Sequence, residues 1–235
     1  MLSALDGDAG TCRPCRLAPP AFARAVSFGP YEGRMRDAIH ALKYDGLRPV
    51  AARLGAMLAV AMARLAATEP AAEILVVPVP LHRSKFAHRG FNQARLLAAY
   101  ALAALRKTHP GWRLRLAPGT VVRQRATESQ AGLTRRQRRL NMRGAFVVPD
   151  QAAVSGKNVL VIDDIMTTGA TARSMAEVLM RAGAASVWVA TLARAHQPFA
   201  YAGVSGHGDL DSTDSLVEGE RPTGMEQQTS NQASF

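Results

Sequence analysis

Two adjoining carboxylates, Asp163 and Asp164, close the aliphatic run Val159-Leu160-Val161-Ile162. The loop Ile165-Met166-Thr167-Thr168-Gly169 follows, and a helix begins immediately after it at Ala170. In an open α/β sheet, the carboxyl end of a buried strand is where ligands bind. A helix starting beyond Gly169 would offer unpaired backbone N–H groups and the positive end of its dipole, and a phosphate fits there. Thr167, Thr168 and Thr171 add hydroxyl donors, and Gly169 tolerates positive φ and lets the backbone approach an anion closely. The two acids can accept hydrogen bonds from vicinal sugar hydroxyls. The pattern therefore asks for a diol and a phosphate on one small molecule, which describes a ribose 5-phosphate. An isolated Asp-Asp would read as an ordinary strand-to-helix turn with a threonine cap; the whole run, in this order, favours a ligand site.

Positioning these groups requires a strand before them and a helix after them, and the sequence supplies both. Residues 158–163 read as a buried strand, four aliphatic residues between Asn158 and Asp163, as expected of a strand covered on both faces. Residues 170–183 read as a helix closed by Gly183, and residues 186–194 as a further buried strand. Strand, helix and strand at this spacing make a βαβ unit, so the sheet should be mainly parallel and flanked by helices, an α/β fold. Upstream, residues 73–80 are another β-branched run, followed by a helix over 92–107. Residues 25–29 read as a short strand. Met35, Ile39 and Leu42 recur at helical spacing, as do Leu54, Met57, Leu58, Ala61 and Leu65. Short strand candidates at 120–123 and 145–148 flank an arginine-rich piece.

That piece, residues 123–143, holds seven arginines and one acid, Glu128. It reads either as a cationic segment that neutralises phosphates or as a solvated helix face, with Leu133 and Leu140 seven apart. Asn141 and Phe146 would anchor its end. Residues 82–93 mix Arg83, Lys85 and Arg89 with Phe86 and Phe91. They could grip pyrophosphate or stack single-stranded bases, or form a solvated loop with Phe91 in the core. His82 and His88 are more simply structural or exposed than catalytic.

The 235 residues suit one domain with appendages: residues 1–20 as the remnant of a small module, 21–196 as the main domain, and 197–235 as a polar acidic tail expected to be disordered. A net charge of +11 attracts anions, from phosphorylated sugars to nucleic acid. No uncharged apolar run reaches the length of a membrane span, so no membrane insertion is expected. The N-terminus has no secretory pattern, and two cysteines do not make a disulfide framework; a cytoplasmic location is expected. Cys12 and Cys15 have the spacing of a zinc pair, but structural zinc normally takes four ligands, so Zn²⁺ is disfavoured here. There is no GxxxxGK or GxGxxG motif, which removes support from kinase, ATPase and dinucleotide-dependent readings.

The segment 159–171 resembles the signature with which type I phosphoribosyltransferases bind 5-phosphoribosyl-1-pyrophosphate (PRPP). Three other stretches resemble its ComF-like branch: YEGRMRDAIHALKYDG (31–46), VPVPLHRSKFAHRGFNQARLLA (77–98) and RQRATESQAGLTRRQRRLNMRGAF (123–146). The resemblance covers roughly residues 25–195. It implies the type I phosphoribosyltransferase fold, with Asp163 and Asp164 as catalytic acids on the ribose hydroxyls. Met166, Thr167, Thr168, Gly169, Ala170 and Thr171 would complete the PRPP site. Pro80, Leu81, His82 and Arg83 would form a pyrophosphate loop, and Arg123, Arg125, Thr127, Gln130 and Arg138 would belong to a flexible loop that closes over the ligand. Mg²⁺ would arrive with PRPP. ComF-like proteins often begin with a four-cysteine module, of which one pair is present here, and a homodimer is common among relatives. The implied activity is Mg-dependent transfer of the phosphoribosyl group to a nitrogen acceptor with release of pyrophosphate. The rival expectation is an accessory protein of DNA uptake that binds single-stranded DNA or a helicase, with PRPP as regulatory ligand.

Overall fold

The computed structural model describes residues 13–44, 46–65, 73–125, 137, 142 and 144–195. Five strands form one sheet: β1 (Arg24–Pro30), β2 (Ile74–Pro78), β3 (Leu114–Leu116), and two longer strands near the end of the described chain, Asn158–Met166 and Ser186–Arg194. A separate antiparallel ribbon pairs β4 (Val122–Arg123) with β5 (Phe146–Val147), so the long strands are β6 and β7. The five-stranded sheet has the order β1-β7-β6-β2-β3, and every pairing in it is parallel. The mainly parallel α/β fold expected from the aliphatic runs is the fold observed. Strands buried on both faces carry such runs because neither face meets water.

Helices cover both faces. One face packs against α2 (Gly33–Tyr44), α3 (Val50–Ala63) and α5 (Gln93–Thr108), with Ile39, Leu42, Leu58, Met62, Leu97 and Leu105 fully buried against Leu160, Ile162 and Leu192. The other face packs against α6 (Ala170–Arg181), with Met175 and Leu179 set on Val159, Val161 and Val189. Gly55 sets the approach of α3 to α5: a Cβ there would lie 2.3 Å from the Cβ of Tyr100.

This division of helices creates the site. The connection leaving β2 runs through α5 on one face, and the connection leaving β6 runs through α6 on the other. β2 and β6 are neighbours, in register from Ile74 with Asn158 to Pro78 with Ile162. Where adjacent parallel strands send their connections to opposite faces, a crevice opens beyond their carboxyl ends.

The sequence-based element bounds are close, with two exceptions. Residues 82–93, with a solvated loop as one expectation, contain the helix α4 (Arg83–Arg89), closed by Gly90 at φ 74°. β3 was not expected at all. Among the described residues no helix is long and apolar enough to cross a membrane.

Candidate functional site

β6 carries the two acids past the last residue of β2 and into the crevice. Successive side chains of a strand point to opposite faces, so Asp163 and Asp164 diverge. Asp163 lies on the α6 side, opposite Thr191 of β7, while Asp164 turns to the α2 side and is 4% exposed. The backbone braces both: the Asp164 N–H donates to Asp163 Oδ1 at 2.9 Å, and the Ile165 N–H donates to Asp164 Oδ1 at 3.0 Å. The second oxygen of Asp164 meets the ammonium of Lys43, which reaches in from the last turn of α2.

β6 ends at Met166, whose carbonyl accepts from Ala195 N–H at 3.0 Å and whose sulfur accepts from Arg194 Nη1 at 3.5 Å. Thr167 and Thr168 then lead to Gly169, which stands at φ 75° and caps α6. A Cβ there would meet no atom within 4 Å, so the left-handed backbone, not crowding, is what calls for glycine. Ala170 N–H donates to Thr168 Oγ1 at 3.4 Å, a long bond. A cavity of about 300 Å³ opens at this turn. Asp163, Asp164, Met166, Thr167, Gly169, Ala170 and Thr171 all line it. Thr168 is turned to the cap instead. Val161, Val189 and Thr191 also line the cavity, and Ser27 Oγ lies 2.7 Å from Thr191 Oγ1.

Burial, together with the like charge of Asp164, pushes the Asp163 carboxyl well above the ordinary carboxylate range, and Lys43 only partly opposes this. Burial alone would lower the Lys43 ammonium; the Asp164 carboxylate against it, with Asp163 beyond, holds it above its usual value. Arg123 of β4 is lowered by burial, with Asp163 opposing. Lys85 of α4 is lowered by burial and by the charges of Arg123, Arg89 and Lys43. Lys85 thus feels three other cations, and Asp163 acts on two of those, Lys43 and Arg123.

The other expected groups fall as follows. Pro80 and Leu81 join β2 to α4 and do not line the cavity, although Val79 just before them does. His82 caps α4, accepting from Ser84 N–H at 3.3 Å, and Arg83 opens the helix. The stretch expected as a pyrophosphate loop is therefore a short connection ending in a capped helix. It is held at its near end by Asn92 Nδ2, which donates to the Val79 carbonyl at 3.0 Å. Arg123 is half-buried, its guanidinium 5.5 Å from the centre of the Phe146 ring, and Arg125 is exposed. Phe146 is 3% exposed and Ser174 Oγ donates to the Met142 carbonyl at 2.8 Å, so the ends of the arginine-rich segment are pinned to the core and to α6. Thr127, Gln130, Arg138 and Asn141 lie outside the described residues, as do Cys12 and the acidic tail. Cys15 sits on α1 (Arg13–Leu17), with Arg173 Nη2 3.5 Å from its sulfur.

The chain has relatives among known proteins. The phosphoribosyl transferase domain family matches residues 116–199, the stretch from β3 through β7. The chain is 34% identical over 188 residues to DNA utilization protein YhgH of Salmonella typhi, covering 78% of this chain and 77% of that protein. It belongs to the ComF-like group of type I phosphoribosyltransferase-domain proteins. Competence protein F of Haemophilus influenzae is 27% identical over 189 residues, 78% of each chain. Competence protein ComFC of Bacillus subtilis is 35% identical over 126 residues, 53% of this chain and 46% of that one. In this ComF-like chain, sequence reasoning missed Lys43 and Tyr31 as cavity residues. Both lie within the resembling stretch 31–46, but nothing in the sequence distinguishes Tyr31 from a turn residue or Lys43 from a helix surface.

Proposed function

We propose that the chain binds PRPP together with Mg²⁺ and transfers its phosphoribosyl group to a nitrogen acceptor, releasing pyrophosphate. The observation that carries this reading is that Asp163, Asp164, Thr167, Gly169, Ala170 and Thr171 line one cavity at the carboxyl end of β6. The acids accept the ribose hydroxyls and the turn receives the 5-phosphate. Departure of pyrophosphate leaves positive charge on the sugar ring, as in glycoside cleavage. Lys85 and Arg123, with Arg83 at the start of α4, stabilise the charge that builds on the leaving group. The arginine-rich segment closes over the ligand from its pinned ends and keeps water from the sugar.

The donor set suits Mg²⁺ carried by the substrate. Among the described residues no three His, Cys, Asp or Glu side chains converge on one point. Mg²⁺ keeps several waters and binds through one or two carboxylates plus phosphate oxygens; Asp163 and Asp164 would serve it here. Bound there, it would neutralise pyrophosphate charge.

The test is pyrophosphate release from PRPP and Mg²⁺, with ammonia and then each nucleobase as acceptor. Release stimulated by one acceptor supports transfer. Unaltered PRPP in the presence of every acceptor, despite measurable binding, rejects it.

A second reading has its own observation. Arg89 lies over the ring of Tyr44 at 5.6 Å, and Arg48 over that of Phe91 at 5.1 Å, with Tyr44 68% and Phe86 49% exposed. Cations interleaved with open aromatic faces suit single-stranded nucleic acid, and relatives bear names for DNA utilization and competence. In this reading the chain is a non-enzymatic accessory of DNA uptake, acting on single-stranded DNA or with a helicase, and PRPP regulates it. Binding of single-stranded DNA that weakens steeply with salt, without pyrophosphate release, favours it.

A further inference from the structure

The cavity and the cation–aromatic surface meet at α4. Lys85 and Arg89 are four residues apart on this helix, so their side chains share one face. Arg89 is held in place: it donates to Gln93 Oε1 at 2.7 Å, and its guanidinium lies 5.6 Å from the centre of the Tyr44 ring. Tyr44 follows directly on Lys43, which lines the cavity, and is 68% exposed. Phe86, beside Lys85, is 49% exposed, and Arg48 lies over Phe91 just past the end of α4. Lys85 feels the charge of Arg89 and also of Lys43 and Arg123, the two cations that act on the acids of β6. Among the described residues none of Arg48, Lys85 and Arg89 pairs with an acid. The ring contacts could simply fasten α4, which buries none of its side chains, to the end of α2. Fastening needs no surplus of charge, however, and a lysine crowded by three cations without an acid of its own is a place that an anion relieves.

We propose that Lys85 serves two anionic ligands that exclude each other: the pyrophosphate end of PRPP in the cavity, and a backbone phosphate of single-stranded DNA whose bases stack on Tyr44 and Phe86. Both ligands are those of the two proposed functions, on which this rests; their mutual exclusion follows from the shared cation. Two phosphate groups brought to one ammonium repel each other, the more strongly beside a cavity that holds little water. Stacking on Tyr44 and Phe86 draws the strand along α4, and its backbone charge then reaches the ammonium that the pyrophosphate needs. Ribose 5-phosphate lacks the pyrophosphate. It places its charge at the turn after β6, the other exit of the sheet, and leaves Lys85 to the DNA. Coupling between two ligands is reciprocal, so DNA weakens PRPP by the factor by which PRPP weakens DNA. The exposed surface thereby reports whether the cavity holds PRPP, without any change of fold.

Fluorescence anisotropy of a labelled oligothymidine strand on the full chain tests this, with PRPP or ribose 5-phosphate added together with Mg²⁺ at matched ionic strength. PRPP at about ten times its own dissociation constant should weaken the DNA about tenfold. Ribose 5-phosphate at the same saturation should leave DNA affinity unchanged. In Lys85→Ala, PRPP at equal saturation should lose most of its effect on DNA. Tyr44→Ala should bind DNA more weakly, bind PRPP as wild type does, and retain the displacement. DNA affinity unmoved by saturating PRPP overturns the inference and leaves both functional readings standing. Displacement by ribose 5-phosphate as strong as by PRPP, or equal displacement in wild type and Lys85→Ala, also overturns it, because the effect then arises elsewhere than at Lys85. A wild type that binds PRPP by calorimetry but no DNA overturns it together with the single-stranded DNA reading. One that binds DNA but no PRPP overturns it together with the PRPP reading.

Discussion

β2 and β6 lie side by side, parallel and in register as far as Pro78 and Ile162, and they end in opposite chemistry. β6 runs on through two acids to a left-handed glycine and a helix N-terminus. β2 stops, turns through Pro80 and Leu81, and enters a helix carrying Arg83, Lys85 and Arg89. One exit supplies acceptors for hydroxyls and amides for a phosphate; the other supplies cations. Neither chemistry follows from the strands, which are equally aliphatic. It follows from the residues placed where the two connections part to opposite faces. A crevice of this kind suits a ligand with different chemistry at its two ends, a diol and monophosphate on one side and a more highly charged group on the other.

That contrast can be broken from either side. The largest effect is expected at Gly169, where a β-branched side chain cannot adopt φ 75° without strain. Gly169→Val should weaken ribose 5-phosphate and PRPP alike by about a hundredfold, equivalent to about 2.7 kcal/mol, as read by calorimetry; comparable affinity would detach the loop from the phosphate. Next, Arg83→Ala/Lys85→Ala should weaken PRPP by about tenfold, the loss of one charge-assisted contact, while ribose 5-phosphate binds as in wild type. Equal losses for both ligands would erase the distinction between the exits.

A smaller effect, at most about tenfold per pH unit, comes from Asp163. Its raised carboxyl holds a proton in the folded protein that the unfolded chain has released. Folding stability from this group is therefore present below the ordinary carboxylate value and declines as pH rises through the raised one. Affinity for a ligand whose hydroxyl donates to Asp163 runs the other way, rising across that interval and then levelling. Asp163→Asn should flatten its share of the profile, leaving only the titration of the ligand's own phosphate. The smallest effect is expected away from the cavity: Tyr44→Ala should weaken single-stranded DNA binding by about 1 kcal/mol, the low end for one stacked base, and leave PRPP affinity unchanged.

Legibility along the chain follows burial. β6, α6 and β7 were readable because aliphatic runs, an early glycine and a closing Gly183 all point to one arrangement, and local signals that agree specify structure strongly. β3 escaped because it is three residues long with Arg115 at its centre, so no run or alternation marks it. α4 escaped because it buries none of its side chains and is capped by His82 rather than by one of the usual short polar residues. In the site, Asp163, Asp164 and Gly169 were visible as neighbours in sequence. Lys43 was not: between a buried Leu42 and an exposed Tyr44, it looks like any lysine at the edge of an amphipathic helix. Its partner is distant along the chain, and only the fold brings them together. Arg123 was foreseen as part of a cationic segment, but its closeness to Asp163 depends on the β4–β5 ribbon, two residues to a strand.

The central claim is that the acids of β6 and the loop after them hold a ribosyl phosphate. Calorimetric titration with PRPP and Mg²⁺, on wild type and on Asp163→Ala/Asp164→Ala shown by circular dichroism to be folded, tests it most directly. The account predicts saturable binding by the wild type and its near-complete loss in the double variant. Equal affinity in the two proteins would contradict it.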